Sequence, residues 1–436
     1  MMDFHSASVF SRRKAICRKC EFGRSGMCAD PNSTVHGMNT VAAAMTPDAF
    51  CARWKEVRPT SGMSWFLADL AKGGISRFAS TVIPLLHDIG YPTKAVVVGS
   101  TFMPDEPLIK DLKRYCRVYQ TEVPHQSAGM LPADMSIYQQ LMNDSSLVHI
   151  AARQPGYSPL PSGLLRPEGT RVLAHAHGMC GWTLKVLKYL SQWATHYYGS
   201  SSRAAENATE NGYPAHHAIV PIDRNRLTPS VRAREARKQL LPESSDGEIW
   251  LTFVGRLSPE KGISRIAETA RWISDNCDKR VRLILVGDGY DRDNQIESVL
   301  SVMGGVPWNH FDWMQDLSSV FSASSLTLCM SDAEGMPLTV LESLISCCPV
   351  AAYGEIGCMP LLRGWSLSGR PKPLFLELPY KSTGEESGRV VLDFLNRRSF
   401  AHRIPSDYVD AEETARLYSY AEARRQWGEL MMSVLA

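Results

Sequence analysis

The sequence has no uninterrupted apolar run long enough to cross a membrane, and its first 14 residues lack the continuous apolar stretch of a signal peptide. It also has little net charge, because 47 lysines and arginines oppose 45 aspartates and glutamates to give +2. A broad positive field that would gather nucleic acid or an anionic membrane is therefore excluded. We expect a cytoplasmic protein without a transmembrane segment, with peripheral attachment to a membrane left open.

The composition is that of a folded protein with more than one domain. At 436 residues the chain is about three times the usual domain size of ~150 residues. A hydrophobic fraction of 44% excludes wholesale disorder, and 11 cysteines is an odd number for a secreted disulfide framework. We expect most of the cysteines to be reduced thiols in the core.

The first 58 residues are polar and rich in turns, and they carry a cluster of three cysteines, Cys17, Cys20 and Cys28. Two thiols with this spacing and a third nearby predict a structural zinc site. The fourth ligand would be one of three residues: His5, His36 or Cys51. Free thiols and a disulfide formed on isolation are the alternatives. A short basic patch at residues 12–24 could contact a polyanion, although a solvated charge run is the commoner meaning.

From residue 59 the pattern changes to strands that alternate with helices. Met63–Leu67 is a short apolar run, and apolar residues from Ile75 to Ile89 then recur at helical spacing. Further buried strands are predicted at Ala95–Val98, Leu147–Ile150 and Val172–Ala176. This alternation is typical of a parallel sheet that is covered by helices on both faces.

The alternation restarts after a connection that is rich in basic residues, proline and serine, at residues 229–247. Strands are predicted at Ile249–Val254, Val281–Val286, Ser325–Met330 and Val350–Ala352, and helices at Ser264–Ile273, Leu317–Ala323 and Leu338–Ser346. The expected organisation is an extension (1–58), a doubly wound unit (59–228), a linker (229–247), a second doubly wound unit (248–408) and a C-terminal helix (409–436). The last helix is predicted as one stretch from about Glu412 to Leu435.

The loop after the strand Ile249–Val254 carries two cations five positions apart, Arg256 and Lys261, and leads into a helix. Ligands of open parallel sheets bind beyond the carboxyl ends of the strands. The free N–H groups of a helix N-terminus, together with two full positive charges, suit an anionic diphosphate. The loop therefore predicts a phosphate site, and a solvated surface loop is the alternative.

A second informative loop follows the strand Ser325–Met330 and holds Glu334 and, eight positions later, Glu342. Gly335 permits close backbone approach, and Pro337 suits a first helical turn because its missing N–H costs nothing there. The two carboxylates can face different parts of one extended ligand, but they are not an adjacent acid/base pair. An ordinary loop acid and a capping or salt-bridge residue are the alternatives for Glu334 and Glu342.

Three segments, Phe253–Gly262, Leu283–Gly289 and Ser331–Glu342, resemble the carboxy-terminal domain of family 4 glycosyltransferases. In the first half, Leu70–Gly74 resembles the opening glycine loop of that family and Val220–Asp223 the segment that closes its first domain. The resemblance implies an α/β protein of the GT-B fold, in which two Rossmann-like doubly wound domains face a cleft. It also implies retaining transfer of a sugar from a nucleoside-diphosphate donor.

The resemblance carries over residue by residue. It makes Arg256 and Lys261 the diphosphate clamp and Glu342 the partner of the donor ribose hydroxyls. The donor sugar would be held by Glu334 and the backbone of Gly335, Met336, Pro337 and Leu338. Gly73 and Gly74 would let the opposite domain approach the phosphate. Cations at the departing phosphate also agree with the charge that develops when the anomeric C–O bond breaks.

His177 follows the strand Val172–Ala176, and His175 two positions earlier points to the same side. By the resemblance, His177 matches the histidine that contacts the donor sugar or the reacting centre. We therefore add it to Glu334 and the two clamp cations as catalytic candidates. A hydrogen-bonded strand-end histidine is the alternative, and His149 is the poorer candidate for a site residue.

A divalent metal is not implied for catalysis, because the Asp291–Asp293 segment follows a glycine turn and is typical of solvated acids at a helix start. The chain departs from the family pattern at Phe311–Trp313, where a glycine is usual, which leaves the choice between uridine and guanosine open. It departs again at Gly354–Leu361, which lacks the double glycine of the family.

The functional hypothesis is a retaining hexosyltransferase that moves a sugar from a UDP- or GDP-sugar to a hydroxyl acceptor, with a polysaccharide or glycolipid expected. No cofactor is expected for catalysis, since the nucleotide sugar is a substrate. Two alternatives stay open: a glycosyltransferase that acts on modified DNA bases, and a non-catalytic GT-B protein that binds nucleic acid or a partner through its extension. The small net charge argues against nucleic acid.

Overall fold

The computed structural model describes the following residues: 62–68, 74–99, 106–120, 132–151, 160–161, 163–178, 181–222, 224, 227, 233–314, 316–332, 334–354, 356–360, 362–363, 374–398 and 405–436. The extension 1–58 with Cys17, Cys20 and Cys28 lies outside the described residues, and so does Gly73. The zinc hypothesis and the role of Gly73 therefore stay predictions.

A seven-stranded parallel sheet forms the first domain, with the order β3-β2-β1-β4-β5-β6-β7. Its strands are β1 (Met63–Leu67), β2 (Thr93–Val98), β3 (Arg117–Gln120), β4 (Leu147–Ala151), β5 (Arg171–Ala176), β6 (His196–Gly199) and β7 (Ala215–His217). Its helices are α1 (Gly74–Asp88), α2 (Glu106–Leu112), α3 (Pro132–Asp144), α4 (Gly181–Leu190) and α5 (Ser202–Glu210). The four predicted strands and the predicted first helix are confirmed. The central strands β1 and β4 are buried along their whole length, which explains their continuous apolar runs.

A six-stranded parallel sheet forms the second domain, with the order β10-β9-β8-β11-β12-β13. Its strands are β8 (Ile249–Val254), β9 (Val281–Val286), β10 (Trp308–Phe311), β11 (Leu326–Cys329), β12 (Val350–Tyr353) and β13 (Phe375–Leu378). Its helices are α6 (Ala233–Leu240), α7 (Ile263–Asp275), α8 (Arg292–Met303), α9 (Ser318–Ala323), α10 (Leu338–Ile345) and α11 (Gly384–Arg397). The predicted pair of doubly wound units is confirmed.

The strand order explains where a ligand can bind in the second domain. In the second sheet, β8 and β11 are neighbours, yet the chain leaves β8 towards β9 on one side and leaves β11 towards β12 on the other. Such a reversal opens a crevice at the carboxyl ends of the two strands. The loop with Arg256 and Lys261 follows β8, and the loop with Glu334 follows β11, so the topology brings both loops to one crevice.

The predicted linker 229–247 contains α6, which packs on the second domain. The Arg237 guanidinium donates hydrogen bonds to the carbonyl oxygens of Ala323, at 2.8 Å, and Glu248, at 2.7 Å. The segment is therefore attached to one domain along part of its length, while the domain boundaries themselves stay predictions.

The C-terminal segment forms two helices, α12 (Pro405–Leu417) and α13 (Tyr420–Leu435), so the expectation of one continuous helix is wrong. The break has a local cause, because the Ser419 side chain accepts a 3.2 Å hydrogen bond from the Glu422 amide and begins a new helix as its N-cap. Helix α13 returns to the first domain. There the Trp427 indole donates a 2.9 Å hydrogen bond to the Ile219 carbonyl, and its ring centroid lies 6.1 Å from that of Phe78.

Three histidines line the aromatic core beneath the crevice of the first domain, and we call His149, His175 and His177 the histidine column. His175 stacks on Tyr198 with ring centroids 4.4 Å apart and lies 3.8 Å from the His177 ring. His149 Nε2 and the Tyr198 hydroxyl are 2.7 Å apart. Burial lowers the pKa of all three imidazoles, and that of His177 falls to about 4. The column is therefore neutral at neutral pH.

The carboxyl ends of the two sheets face each other, and the backbones of the two domains are in contact across the crevice between them. A Cβ atom added at Gly335, in the loop after β11, would lie 1.5 Å from the carbonyl oxygen of His177, after β5. A Cβ at Gly357 would lie 2.4 Å from the Ser201 hydroxyl. An ion pair between Arg77 on α1 and Glu342 on α10 also crosses the crevice. The structure is therefore a closed arrangement of the domains that depends on glycine at these positions.

The histidine column predicts a loss of stability on acidification. The pKa of an unfolded histidine is about 6.5, so below this pH the unfolded state binds protons that the folded column excludes. The free energy of unfolding should therefore fall as the pH drops from about 6.5 towards 4, measured by chemical denaturation. The change His175→Phe should flatten this dependence, whereas His216→Phe on exposed β7 should leave it as in the wild type; equal slopes for all three proteins would contradict the assignment.

The contact at Gly335 predicts that Gly335→Ala forces the domains apart, because the new methyl group would overlap the His177 carbonyl. Small-angle scattering should give a larger radius of gyration for this variant while circular dichroism keeps the helix content. Gly305→Ala is the matched control, since a Cβ there meets nothing within 4 Å. An unchanged radius for Gly335→Ala would refute the closed contact.

Candidate active site

The loop after β8 delivers its cations through a tight turn. Residues Pro259–Lys261 form one turn of 3-10 helix, and α7 begins immediately after Gly262, whose φ of 69° lies in the left-handed region. A Cβ at Gly262 would lie 2.4 Å from the Met330 carbonyl oxygen, so glycine lets this loop pack directly against the loop after β11. The turn therefore places Lys261 beside the loop after β11, where it meets Glu334, and its role at a phosphate stays a prediction.

Lys261 and Glu334 form an ion pair inside the crevice. Their side chains are only 16% and 19% exposed. The Ser331 hydroxyl donates a 2.9 Å hydrogen bond to the same carboxylate oxygen, Oε1. The backbone of Glu334 is also held, because its carbonyl accepts a 2.8 Å hydrogen bond from the Gly357 amide and Glu334 pairs with Ile356 in a parallel bridge. Glu334 thus has a fixed position with its charge balanced by Lys261.

Arg256 lies at the rim of the crevice, half exposed, with its guanidinium 3.6 Å from the Glu260 carboxylate. The Ser258 hydroxyl holds that carboxylate at 2.6 Å, and the Tyr290 ring lies 6.0 Å from the Arg256 guanidinium carbon. An exposed pair of this kind contributes little stability, so Arg256 can leave Glu260 for an anionic ligand at small cost.

A backbone hydrogen bond joins the two loops. The Asp332 amide donates to the Glu260 carbonyl at 2.9 Å. Arg265 on α7 reinforces the junction, because its guanidinium donates to the Asp332 carboxylate at 2.7 Å and to the Met330 carbonyl at 2.9 Å. The cation loop and the acid loop therefore form one rigid cradle at the carboxyl edge of the second sheet.

Glu342 occupies the second turn of α10 and is fully buried, and its carboxylate pairs with Arg77. A buried charge without a partner is costly, so this acid requires a cation or hydrogen-bond donors in its place. The two acids therefore differ in their partners: Glu334 pairs with a cation of its own domain, whereas Glu342 pairs with a cation of the first domain.

His177 borders the same crevice, and its carbonyl lies against Gly335. Its Nε2 atom is enclosed and has no hydrogen-bond partner among the described residues. Since burial lowers the pKa of this imidazole to about 4, it is neutral at neutral pH, and its enclosed Nε2 would meet a ligand as a hydrogen-bonding group rather than as a cation. His149, by contrast, is a core residue that pairs with Tyr198.

The remaining candidates are Gly74, Met336, Pro337 and Leu338. Gly74 is the first residue of α1 and is exposed, with open space around it. Pro337 directly precedes α10, as its place at a helix start predicts, and Met336 and Leu338 pack against the apolar core. The structure thus brings together His177, Glu334, Gly335, Lys261 and Glu342, with Arg256 at the rim.

Sequence reasoning missed Arg77, Arg265 and Ser331. Arg77 lies three residues after Gly74, in the first turn of α1, and this place next to the predicted glycine loop was the one feature of the sequence that could have pointed to it. Its contact is with a residue 265 positions later, on another domain, and no local pattern reports such a pairing. (342 − 77 = 265.)

Within the described ranges, no group of three or more histidine, cysteine, aspartate or glutamate side chains could hold a metal ion. Both acids lie at a helix start: Asp291 is the N-cap residue of α8 and accepts hydrogen bonds from the Asn294 and Gln295 side chains, and Asp293 in the first turn is 91% exposed. Among the residues described, no helix combines the length and the apolarity that crossing a membrane requires.

The comparisons with known proteins agree with this geometry. Residues 234–363 match the family model of glycosyl transferases group 1, a segment that contains both loops of the cradle and α10. A GDP-mannose-dependent alpha-mannosyltransferase of Mycobacterium tuberculosis (strain CDC 1551 / Oshkosh) is 28% identical over 166 residues, which cover 38% of this chain and 40% of the relative.

A second relative is the UDP-Gal:alpha-D-GlcNAc-diphosphoundecaprenol alpha-1,3-galactosyltransferase of Escherichia coli, 26% identical over 142 residues. That match covers 30% of this chain and 34% of the relative, so the similarity spans well under half the length of either relative. The two relatives differ in the nucleotide that their names carry.

Solved structures resemble the chain over most of its length. Anabaena Alr3699/HepE, in a complex with UDP and glucose, superposes with a TM-score of 0.62 at 15% identity, covering 85% of this chain and 100% of that one. A glycosyltransferase from Rickettsia africae ESF-5 gives a TM-score of 0.67 at 13% identity and covers 86% and 99% of the two chains. The chain therefore has the GT-B fold, and its residues 234–363 are similar to glycosyl transferases group 1.

Proposed function

We propose that the protein is a retaining, family 4-like glycosyltransferase that moves a sugar from a UDP- or GDP-sugar to a hydroxyl group of a polysaccharide or a glycolipid. The observation that carries the proposal is the cradle: Lys261 pairs with Glu334 at the carboxyl edge of the second sheet and Arg256 lies at the rim, inside the segment that matches glycosyl transferases group 1. The relatives whose names include GDP-mannose and UDP-Gal support a nucleotide-sugar donor.

The cradle suits the chemistry of an activated sugar. Breaking the bond between the anomeric carbon and the phosphate oxygen leaves negative charge on the departing diphosphate, which Arg256 and Lys261 would stabilise more strongly than the bound donor. Lys261 would leave Glu334 to meet the phosphate. Glu334 and the backbone from Gly335 to Leu338 would then hold the donor sugar.

Retention follows from transfer on one face of the sugar. The acceptor hydroxyl oxygen forms its new bond to the anomeric carbon on the side that the phosphate leaves, and the hydroxyl proton passes to the departing phosphate oxygen. This route needs no separate strong base, which suits the engagement of Glu334 with Lys261 and of Glu342 with Arg77. His177, neutral and enclosed at the crevice, would orient the sugar by hydrogen bonding.

The test of the clamp is the release of free sugar from UDP-glucose, UDP-N-acetylglucosamine and GDP-mannose without acceptor. The wild type should hydrolyse at least one donor slowly, and Lys261→Ala or Arg256→Ala should lower turnover by about 100- to 1,000-fold, as loss of one charge-stabilising group does in other enzymes. Arg389→Ala, an exposed residue on α11 that pairs with Glu385, is the control. Near-normal turnover of both clamp variants would refute the clamp, and no release by the wild type would favour a binding protein.

For His177 we expect a selective loss. His177→Ala should lower the transfer rate by about tenfold or more, because a positioned hydrogen-bonding group is lost, while the dissociation constant of the donor stays within about twofold. Isothermal calorimetry and the sugar-release assay measure the two quantities. His216→Ala, at an exposed edge, should change neither; an unchanged rate for His177→Ala would assign the residue to the core alone.

A further inference from the structure

Arg77 connects the glycine-loop helix of the first domain to the most deeply buried acid of the candidate site. It lies in the first turn of α1, with a side chain that is 44% exposed, and its Nη2 contacts Oε1 of Glu342, whose side chain is 0% exposed. The two residues belong to different domains and meet only because the crevice is closed.

The neighbours of Arg77 hold it in this place. Phe78, the next residue of α1, packs on His175 with ring centroids 4.8 Å apart and on Trp427 of α13 at 6.1 Å. The helix is thus fixed against the histidine column on one side, and Arg77 projects from the same turn towards α10. A guanidinium placed on a rigid element can hold a carboxylate in one orientation.

We propose that Arg77 is a positioning residue for the donor: it orients and neutralises the Glu342 carboxylate so that this acid can accept hydrogen bonds from the ribose hydroxyls of a nucleoside diphosphate. The proposal rests on the proposed function, which assigns the ribose to Glu342. It adds a contribution of the first domain to binding of the nucleoside part of the donor. A carboxylate accepts several hydrogen bonds, so pairing with Arg77 and accepting from ribose are compatible.

The consequence is a coupling between closure and donor affinity. When the domains close, Arg77 reaches Glu342 and compensates a charge that has lost its water; when they open, the carboxylate loses that partner. The nucleoside should therefore bind best to the closed arrangement, while the diphosphate contacts of Arg256 and Lys261 belong to the second domain alone. Loss of Arg77 should weaken binding of a nucleoside diphosphate but not of inorganic pyrophosphate, which has no ribose.

The experiment measures dissociation constants of UDP, GDP and inorganic pyrophosphate by isothermal calorimetry. Arg77→Ala should raise the dissociation constant of the nucleotide that the wild type binds by about tenfold, the size of one good charge-assisted contact. The dissociation constant of pyrophosphate should stay within about twofold of the wild-type value. Arg77→Lys should recover part of the loss, since it keeps the charge. Arg203→Ala is the matched control, because Arg203 lies in the same domain, is 45% exposed and forms ion pairs with Glu206 and Glu210 of its own helix.

A double-mutant cycle separates action through Glu342 from direct contact with the donor. In a Glu342→Gln background, Arg77→Ala should cost less than about twofold in nucleotide affinity, because the group through which it acts is already altered. The Glu342→Gln background also removes the carboxylate charge that Arg77 neutralises, so the comparison does not depend on Arg77→Ala alone keeping its closed form.

The outcomes separate the two proposals. If the wild type binds neither UDP nor GDP, the proposed function fails and the role of Arg77 fails with it. If the wild type binds a nucleotide, three results overturn the role of Arg77 alone. The first is that Arg77→Ala binds the nucleotide as tightly as the wild type does. The second is that Arg77→Ala loses as much affinity for pyrophosphate as for the nucleotide, and the third is that it still loses tenfold in nucleotide affinity in the Glu342→Gln background. The last two would indicate direct contact with the phosphates or the donor.

Discussion

Charge balance in the crevice is the constraint on which the rest of the structure depends. Two acids, Glu334 and Glu342, are withdrawn from water, and each is compensated by a cation, Lys261 and Arg77. Uncompensated, either charge would oppose closure of the domains. The pairs therefore hold the site in order without a ligand, and they define what a ligand must offer. It must bring negative charge for Lys261 and hydrogen-bond donors for the acids, and a sugar nucleotide carries both, on its diphosphate and on its hydroxyl groups.

The fold provides this balance through topology and small residues. The reversal of strand order between β8 and β11 brings the cation loop and the acid loop together, and Gly262 allows their backbones to touch. Gly335 plays the same part between the domains, against the His177 carbonyl. Helix α13 crosses back to the first domain and packs Trp427 on Phe78, which supports the helix that bears Arg77. Contacts within the second domain and packing between the domains thus position the residues of one crevice.

Much of this was predictable because the informative residues are local in sequence. The buried strands read as continuous apolar runs, and the loops after β8 and β11 carry their cations and acids within a few residues of the strand ends. The contacts between domains were not predictable in this way. Arg77 and Glu342 belong to separate units, the pairing of Lys261 with Glu334 depends on tertiary approach, and the break at Ser419 depends on a single cap inside an otherwise helical pattern. Short, partly exposed strands such as β3 and β7 give little periodic signal.

The central claim is that the cradle after β8 and β11 grips the diphosphate of a sugar nucleotide. A crystal structure of the protein with saturating UDP or GDP tests it most directly. We expect phosphate oxygens within hydrogen-bond distance of Arg256 and Lys261, the pair of Lys261 with Glu334 exchanged for the phosphate, and the ribose at Glu342. A nucleotide bound elsewhere on the protein, or an empty crevice with that ion pair intact, would contradict the account.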